Sequence, residues 1–509
     1  MTVLRAAQAD IAVLLEGTYP YVSGGVSSWV HQVIRAFPDN TFALVFIGSR
    51  RDDYGKMRYE LPPNVVHLEE HYIHADAGKA PARPVKGSDE SHAKTQALHD
   101  YFRSPATHLN GPELVLRMID RICDGELSEE EFLHGETAWR FLGECYRRFS
   151  TEPSFVDYFW TVRIMHKPIW QLARLAATMP KVRVYHSVST GYAGFLGAVL
   201  HHRNRRPLIL SEHGIYTKER KIDLFQSQWV RDNREFLTRE ATEIGYLKNL
   251  WIRFFGSLGR MCYAAADPIV ALYENNRLRQ VADGAEDSRT TNIPNGIDIA
   301  RFLHVRASRP ERPPPVLCLI GRVVPIKDVK TFSRAMRIVA NRVPGVEGWI
   351  AGPLDEDKGY VEECRNLVDS LGLNDVVKFL GFQKMEEVLA KIGVLVLSSI
   401  SEGLPLVILE AYACGVPVVS TDVGSCRQLV EGLPGEDAAL GRSGRIVGIA
   451  DPEALAAAML DLLTDEREWH AAKNSAIARV EKFYTQDMMI GRYREIYLKA
   501  LAAPDAAED

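Results

Sequence analysis

A chain of 509 residues, 46% hydrophobic and 25% charged, is long enough for two or more domains with sizeable cores, and its composition excludes a disordered or collagen-like protein. The formal net charge of −5 argues against capture of nucleic acid by the protein as a whole, so basic clusters such as HHRNRR (201–206) and KERK (218–221) read as solvated surface. Seven scattered cysteines with no Cys-x-x-Cys pair suggest neither a disulfide framework nor a zinc site, and a reducing cytoplasm fits best. No run approaches the roughly 20 apolar residues of a membrane helix. The N-terminal MTVLRAAQADIAVLLEG lacks a signal-peptide pattern, so membrane association is expected only through a partner.

In chain order, IAVLLEG (11–17) reads as a buried strand, TYPYVSGG (18–25) as a loop and VSSWVHQVIRAF (26–37) as a helix, the opening of a doubly wound unit. TFALVFIG (41–48), VVHL (65–68), VRVYH (182–186), LILSEHG (208–214) and DPIVALY (267–273) are further strand candidates. From about 70 to 180 the pattern changes: a polar, poorly patterned piece (74–96) precedes helical segments such as LSEEEFLHGETAWRFLGECYRRF (127–149). This reads as a helical insertion, partly mobile. RASRPERPPPV (306–316) has the composition of a linker. Beyond it, strands are expected at 316–321, 347–352, 376–381, 393–398, 415–421 and 445–448, alternating with helices as in a parallel sheet covered on both faces. A last helix is expected after its cap Thr485. The expected organisation is an N-terminal domain over 1–308, a C-terminal domain over 309–484, and a helix and tail over 485–509 that pack back across both.

Chemistry concentrates in the second half. In SEGLPLVILEAYACGVPVVS (401–420), two glutamates interrupt an apolar run, and buried carboxylates are costly unless something partners them. Glu402 falls in the loop after a strand, and Glu410 falls in the following helix, whose first turn would hold Pro405. The helix start, with Gly403 allowing close approach, offers N–H groups to an anion. Together these features suit a nucleotide sugar. The structural alternative is that Glu402 favours the helix dipole and Glu410 pairs with a cation. GRVVPIKD (321–328) follows the first strand of the second half, putting Gly321, Arg322 and Lys327 at the same sheet edge, where two cations can neutralise a diphosphate.

Glu402 and Glu410, GRVVPIKD some eighty residues earlier, IPNGID (293–298) and the pair Gly24–Gly25 resemble the retaining nucleotide-sugar glycosyltransferases of family 4. The resemblance implies an α/β GT-B fold, two doubly wound Rossmann-like domains with an interdomain cleft. EGTYPYVSGGVSSWVHQVI, the 70–180 insertion and SEHGIYTKER (211–220) also resemble a narrower group, the cytosolic PelF glycosyltransferases of Pel exopolysaccharide synthesis. By that resemblance Glu410 would bind the donor ribose and Glu402 the sugar ring. Arg322 and Lys327 would hold the diphosphate with the backbone of Gly403, Leu404 and Pro405. Gly24 and Gly25 would close on the diphosphate, and His213 would stand near the reacting sugar, although a histidine satisfied at a strand end is its alternative. His186, Asn295 and Asp298 are expected to be structural.

The resemblance further implies retention by front-face attack, a UDP-sugar as substrate rather than cofactor, a polysaccharide or lipid-linked acceptor, and an inner-membrane synthase or export complex as partner, with the insertion as docking surface. The location would be cytoplasmic, peripheral at the membrane through that partner. Asp355 and Asp357 have the Asp-x-Asp spacing of a divalent-metal site, but their place between a strand and a helix favours an acidic helix start, so no metal is expected. Two other classes compete: a sugar-nucleotide-binding scaffold without turnover, and a nicotinamide-dependent oxidoreductase. GTYPYVSGG lacks the Gly-x-Gly-x-x-Gly fingerprint, which lowers the second.

Overall fold

The apolar runs form two separate parallel sheets in a computed structural model that describes residues 4–74, 85–87, 89–103, 111–126, 128–151, 153–226 and 245–503. The first sheet comprises β1 (Gln8–Glu16), β2 (Phe42–Gly48), β3 (Val65–Tyr72), β4 (Lys181–Ser187), β5 (Leu208–Glu212), β6 (Ile269–Ala271) and β7 (Thr290–Asn292). They lie in the order β3-β2-β1-β4-β5-β6-β7, every pair parallel. β1 is buried without a break from Ile11 to Leu15, as a strand covered on both faces must be. β7 escapes sequence reading because Thr290, Thr291 and Asn292 are polar and only partly buried.

Between β3 and β4 lies the insertion, with helices Asp89–Arg103, Gly111–Cys123, Glu129–His134, Glu136–Phe149 and Phe155–Thr178. The poorly patterned polar piece is helical from Asp89, and its residues 75–84 and 88 lie outside the described residues. Leu98, Phe102, Ile119, Tyr158 and Trp170 share one hydrophobic cluster with Ala12 and Leu14 of β1. The insertion is thus built into the first core.

The second sheet comprises β8 (Val316–Ile320), β9 (Glu347–Ala351), β10 (Val377–Gly381), β11 (Val394–Leu397), β12 (Val418–Thr421) and β13 (Gly444–Val447). Their order is β10-β9-β8-β11-β12-β13, again all parallel. Two compact units result: residues 1–271, 276–292 and 495–509, and residues 272–275 and 293–494. Residues 293–308, which the sequence reading gives to the N-terminal domain, belong to the second unit. There Phe302 and Val305 are buried in its core, and the main chain of Ile297 exchanges hydrogen bonds with Tyr484 and Gln486. The supposed linker is anchored as well. Arg309 is 8% exposed and donates to the carbonyls of Leu389 and Ile392.

Thr485 caps the last helix, Gln486–Leu501, through Met488 N at 3.2 Å. Of the two IPNGID side chains, Asp298 accepts from Ala300 N at 3.0 Å, the expected turn role. Arg479 is fully buried. Its guanidinium donates to Asp437 Oδ1 at 2.6 Å, to the carbonyls of Val430, Asp437 and Gly441, and to the Ser443 hydroxyl. Every face of this rigid fork is thereby satisfied. Replacing Arg479 with alanine leaves the nearly buried Asp437 without its cation, and should destabilise the second unit by about 3–5 kcal/mol. Scanning calorimetry should show its transition at a lower temperature, with the first unit's transition little moved.

Candidate functional site

In the second sheet the winding direction reverses between β8 and β11, and the loops leaving the two strands diverge there, the place where open α/β sheets bind ligands. The loop after β8 runs through a short turn, Pro325–Lys327, to Asp328, which takes φ 46° and caps the helix Val329–Ala340 through Thr331 N. A short polar side chain tolerates that left-handed geometry. Ser398, just past β11, donates to the carbonyls of Lys327 and Asp328, at 2.9 Å each, and Ile400 N donates to Ile326 O at 2.8 Å. The two loops are stitched together. Across them Lys327 Nζ meets Glu402 Oε1 at 2.5 Å, and Ser399 Oγ donates to the same oxygen at 2.6 Å.

Sequence reading missed the residue that supports this arrangement. Gly424 has φ 55°, and a Cβ there would lie 2.2 Å from Glu402 O and 2.5 Å from Gly403 O. Only glycine lets the segment after β12 pass so close beneath the glutamate loop, while Ser425 N donates to Gly403 O at 3.0 Å. The one signal available was the glycine in TDVGS (421–425).

The helix Leu406–Ala413 follows, with Pro405 at its N-cap, one position before the first turn expected for it. Leu404 and Pro405 are buried, and Gly403 is half-buried. Glu410 lies on this helix with its side chain 18% exposed. No side-chain hydrogen bond is made to its carboxylate among the described residues. Its nearest cation, Arg301 Nη1, is 3.9 Å away and is committed to Glu386, whose Oε1 accepts from Arg301 Nε at 2.5 Å. Burial pushes the Glu410 carboxyl up to about 7, against the attraction of Arg301 and with repulsion from Glu386.

Arg322 does not join the pair. It is exposed and bonds Glu356 Oε1 at 2.5 Å. In the neighbouring acidic loop, Asp357 caps the helix Lys358–Ser370, its Oδ1 accepting from Tyr360 N at 2.9 Å.

The first unit reverses its winding between β1 and β4. After β1, the loop is anchored by Tyr19, whose hydroxyl meets His31 Nδ1 at 3.1 Å, and by Tyr21, which donates to Glu70. Gly24 caps the helix Gly25–Ala36. Gly24 and Gly25 are exposed, and a Cβ at either would meet nothing within 4 Å. On that helix Trp29 packs edge-on against His213, with ring centroids 4.6 Å apart. His213 is buried, its Nε2 has no hydrogen-bond partner among the described residues, and burial drives it down to about 4. It is a neutral imidazole at pH 7. His186 differs, since its two nitrogens meet Tyr497 Oη at 2.7 Å and Ser211 Oγ at 2.8 Å, as expected of a structural histidine.

Two glutamates, Glu16 partly buried and Glu212 fully buried, also went unread. Glu16, ending β1, accepts from Tyr216 Oη at 2.6 Å and Ala193 N at 3.3 Å. Glu212, ending β5, accepts from Thr190, Tyr263, Gln280 and the Tyr216 amide.

Comparison with known proteins places both units. Residues 9–288 match the family model described as Domain of unknown function (DUF3492), and residues 314–465 match Glycosyl transferases group 1. Among curated proteins, D-inositol 3-phosphate glycosyltransferase 2 of Catenulispora acidiphila is 29% identical over 46% of this chain and 60% of the relative. An exopolysaccharide phosphotransferase of Streptomyces coelicolor is 31% identical over 47% of this chain and 24% of the relative. The chain thus spans less than two thirds of the length of either. Among solved structures, sucrose-phosphate synthase from Thermosynechococcus elongatus has a TM-score of 0.56 at 18% identity, covering 97% of this chain and 100% of its own. Anabaena HepE in complex with UDP and glucose has a TM-score of 0.54 at 15% identity, covering 96% and 99%. Both share the two-sheet GT-B fold. The chain belongs to the family described as Domain of unknown function (DUF3492), carrying a glycosyl transferases group 1 domain within a GT-B fold.

Proposed function

We propose that the protein is a retaining, metal-independent glycosyltransferase that moves a hexose or N-acetylhexosamine from a UDP-sugar to a growing polysaccharide or lipid-linked acceptor. The specific process would be Pel exopolysaccharide synthesis, in the manner of the PelF group, at the cytoplasmic face of an inner-membrane synthase or export complex. The observation that carries the reading is the Lys327–Glu402 pair at the winding reversal of the second sheet, with the unbonded Glu410 on the helix that follows. The relatives named as glycosyltransferases and the UDP bound in HepE support it.

Each residue has a task in this reading. Lys327 is held at the loop crevice by Glu402, and an arriving diphosphate offers it a second, stronger anion. Arg322 is exposed and only surface-paired, and surface pairs are weak enough to exchange. It would swing from Glu356 to the phosphates, with the main chain at Gly403, Leu404 and Pro405 completing the cradle. Glu402 would orient the sugar ring, and Glu410 would accept from the ribose hydroxyls. As the glycosidic bond to phosphate breaks, negative charge gathers on the leaving diphosphate, and fixed cations beside it lower the barrier. The departing phosphate oxygen takes the proton of the acceptor hydroxyl, which attacks from the same face. His213, neutral at pH 7, would exchange hydrogen bonds with a sugar hydroxyl rather than supply charge. The open backbone at Gly24 and Gly25 would admit the phosphates closely. Asp357 already spends an oxygen on its helix, which supports a reading without metal.

Calorimetric titration with UDP in chelator tests the assignment. Lys327→Ala should weaken UDP binding by roughly ten- to a hundredfold, the range of a lost charge-assisted contact, and Arg322→Ala should weaken it less while leaving the melting temperature unchanged. Unaltered affinity in Lys327→Ala would remove the carrying observation. Binding in chelator without transfer from any UDP-sugar would favour the scaffold, and binding only with a divalent ion would overturn metal independence.

Glu410 gives a pH test. Its raised carboxyl favours the folded chain below the unfolded carboxylate range, and that advantage disappears as pH rises through about 7. Glu410→Gln should therefore melt higher than wild type above pH 7, with the difference vanishing near pH 4.5. Ribose hydroxyls favour the ionised form, so wild-type affinity for UDP should climb through pH 7 relative to Glu410→Gln, whose own profile reports only the phosphate.

A further inference from the structure

On the insertion of the first unit, the helices Glu136–Phe149 and Phe155–Thr178 turn large apolar side chains to solvent. Val156 is 61% exposed, Trp160 54%, Ile164 40% and Trp139 55%. The first three follow one another at i, i+4 and i+8, one stripe of a single helix. Trp139 joins them from the neighbouring helix: its ring lies 5.4 Å from those of Phe155 and Phe159, and Phe159 lies 5.4 Å from Trp160. The result is a continuous aromatic ridge of a kind that soluble surfaces rarely leave bare.

Charge on the two ridge helices leans basic, while the short helix Glu129–His134 packed beside them carries three glutamates, one of them paired with Arg174. The two helices carry six basic residues, Arg140, Arg147, Arg148, Arg163, Lys167 and Arg174, against three acidic ones, Glu136, Glu144 and Asp157, in a chain whose net charge is −5. Arg147 and Arg148 make no ion pair among the described residues, and Arg148 lies over the Phe149 ring at 5.0 Å. Arg163 stacks on Phe159 and Trp160 and donates to Leu133 O. Among the described residues, Arg140 pairs with the exposed Asp89, at 3.4 Å. Beside Trp139, an open groove of about 340 Å³ is lined by Arg140, Gly143, Tyr146, Arg147 and Phe155.

We propose that this ridge docks the protein on an anionic phospholipid surface. Trp139 and Trp160 would enter the interface between headgroups and acyl chains, where tryptophan partitions preferentially. The stripe Val156–Trp160–Ile164 would lie along it, and Arg140 and Arg147 would take lipid phosphates at the groove. Such an anchor lies on the membrane without crossing it, consistent with the lack of any helix long and apolar enough to span a bilayer among the described residues. The contact is the chain's own and needs no partner protein. It is also independent of the nucleotide reading, because none of its residues is among those given nucleotide or sugar contacts.

Cosedimentation of the full chain with vesicles of 70% phosphatidylcholine and 30% phosphatidylglycerol tests the proposal, with pure phosphatidylcholine vesicles as reference. Binding should be strong to the mixed vesicles, weak to the neutral ones and reduced by salt. Trp139→Ser with Trp160→Ser should reduce it by at least tenfold. Arg147→Ala should weaken it roughly fivefold, the effect of one basic residue near an anionic surface. Brominated lipid should quench wild-type tryptophan fluorescence more than that of the double variant. All three substituted positions are exposed, so melting temperature and UDP affinity should not change, which separates failure here from failure of the proposed activity. Equal binding to neutral vesicles, no binding to either, or binding indifferent to both tryptophans would overturn the proposal. So would self-association of the full chain, seen in sedimentation velocity and abolished by Trp160→Glu, which would make the ridge a contact between copies.

Discussion

Lys327 meets Glu402 because the second sheet changes its winding direction between β8 and β11. A chain that wound one way throughout would carry successive loops toward the same face, and the strands bearing these residues would not leave a crevice between them. The reversal alone would leave two loose loops. Ser398 and Ile400 tie them with main-chain partners, Gly424 supplies backbone contact from below, and the helix Leu406–Ala413 then starts in a fixed place and carries Glu410 with it. The geometry of the charged groups is inherited from strand order.

Buried carboxylates divide into two kinds here, and hydrogen bonding separates them. Glu212 accepts from four donors, so its burial is compensated and its place in the first unit is structural. Glu410 has a committed arginine at 3.9 Å and no bonded side-chain donor among the described residues. An acceptor held in that condition spends folding energy on a group the fold does not need. The same contrast separates His186, bonded at both nitrogens, from His213, whose Nε2 is buried and unmet.

Most of the architecture was legible because strands covered on both faces are rich in apolar residues, and twelve of the thirteen strands among the described residues hold a short apolar stretch, although β3 (VVHLEEHY) and β4 (KVRVYHS) are broken by charged residues. β7 holds none, being short, polar and at the edge of its sheet. Lys327 and Glu402 were legible as loop residues after strands, and Glu410 as a carboxylate in the apolar helix that follows. Arg322 was legible as a residue but not in its pairing, since Glu356 lies in another loop. Composition left one contact unread at 306–316: the segment is otherwise exposed or partly exposed, as a linker composition suggests, yet Arg309 is sunk among carbonyl oxygens at a helix end. Arg479 left no local signal and Gly424 only the glycine in TDVGS, because their importance lies in what converges on them from distant sequence.

The closing helix carries a consequence for biosynthesis. The first compact unit includes the residues from Glu495 onward. Tyr497 holds His186 through a 2.7 Å hydrogen bond and packs edge-on against Phe37 at 5.0 Å, while Leu501 O accepts from Arg183. On a ribosome, the strands β1 to β7 emerge early and must wait for nearly the whole of the second unit to be translated before these contacts can form. The unit made first is therefore finished last, and an arrested or truncated nascent chain would hold an N-terminal sheet with His186 and Phe37 uncovered, a natural substrate for chaperones and quality-control proteases.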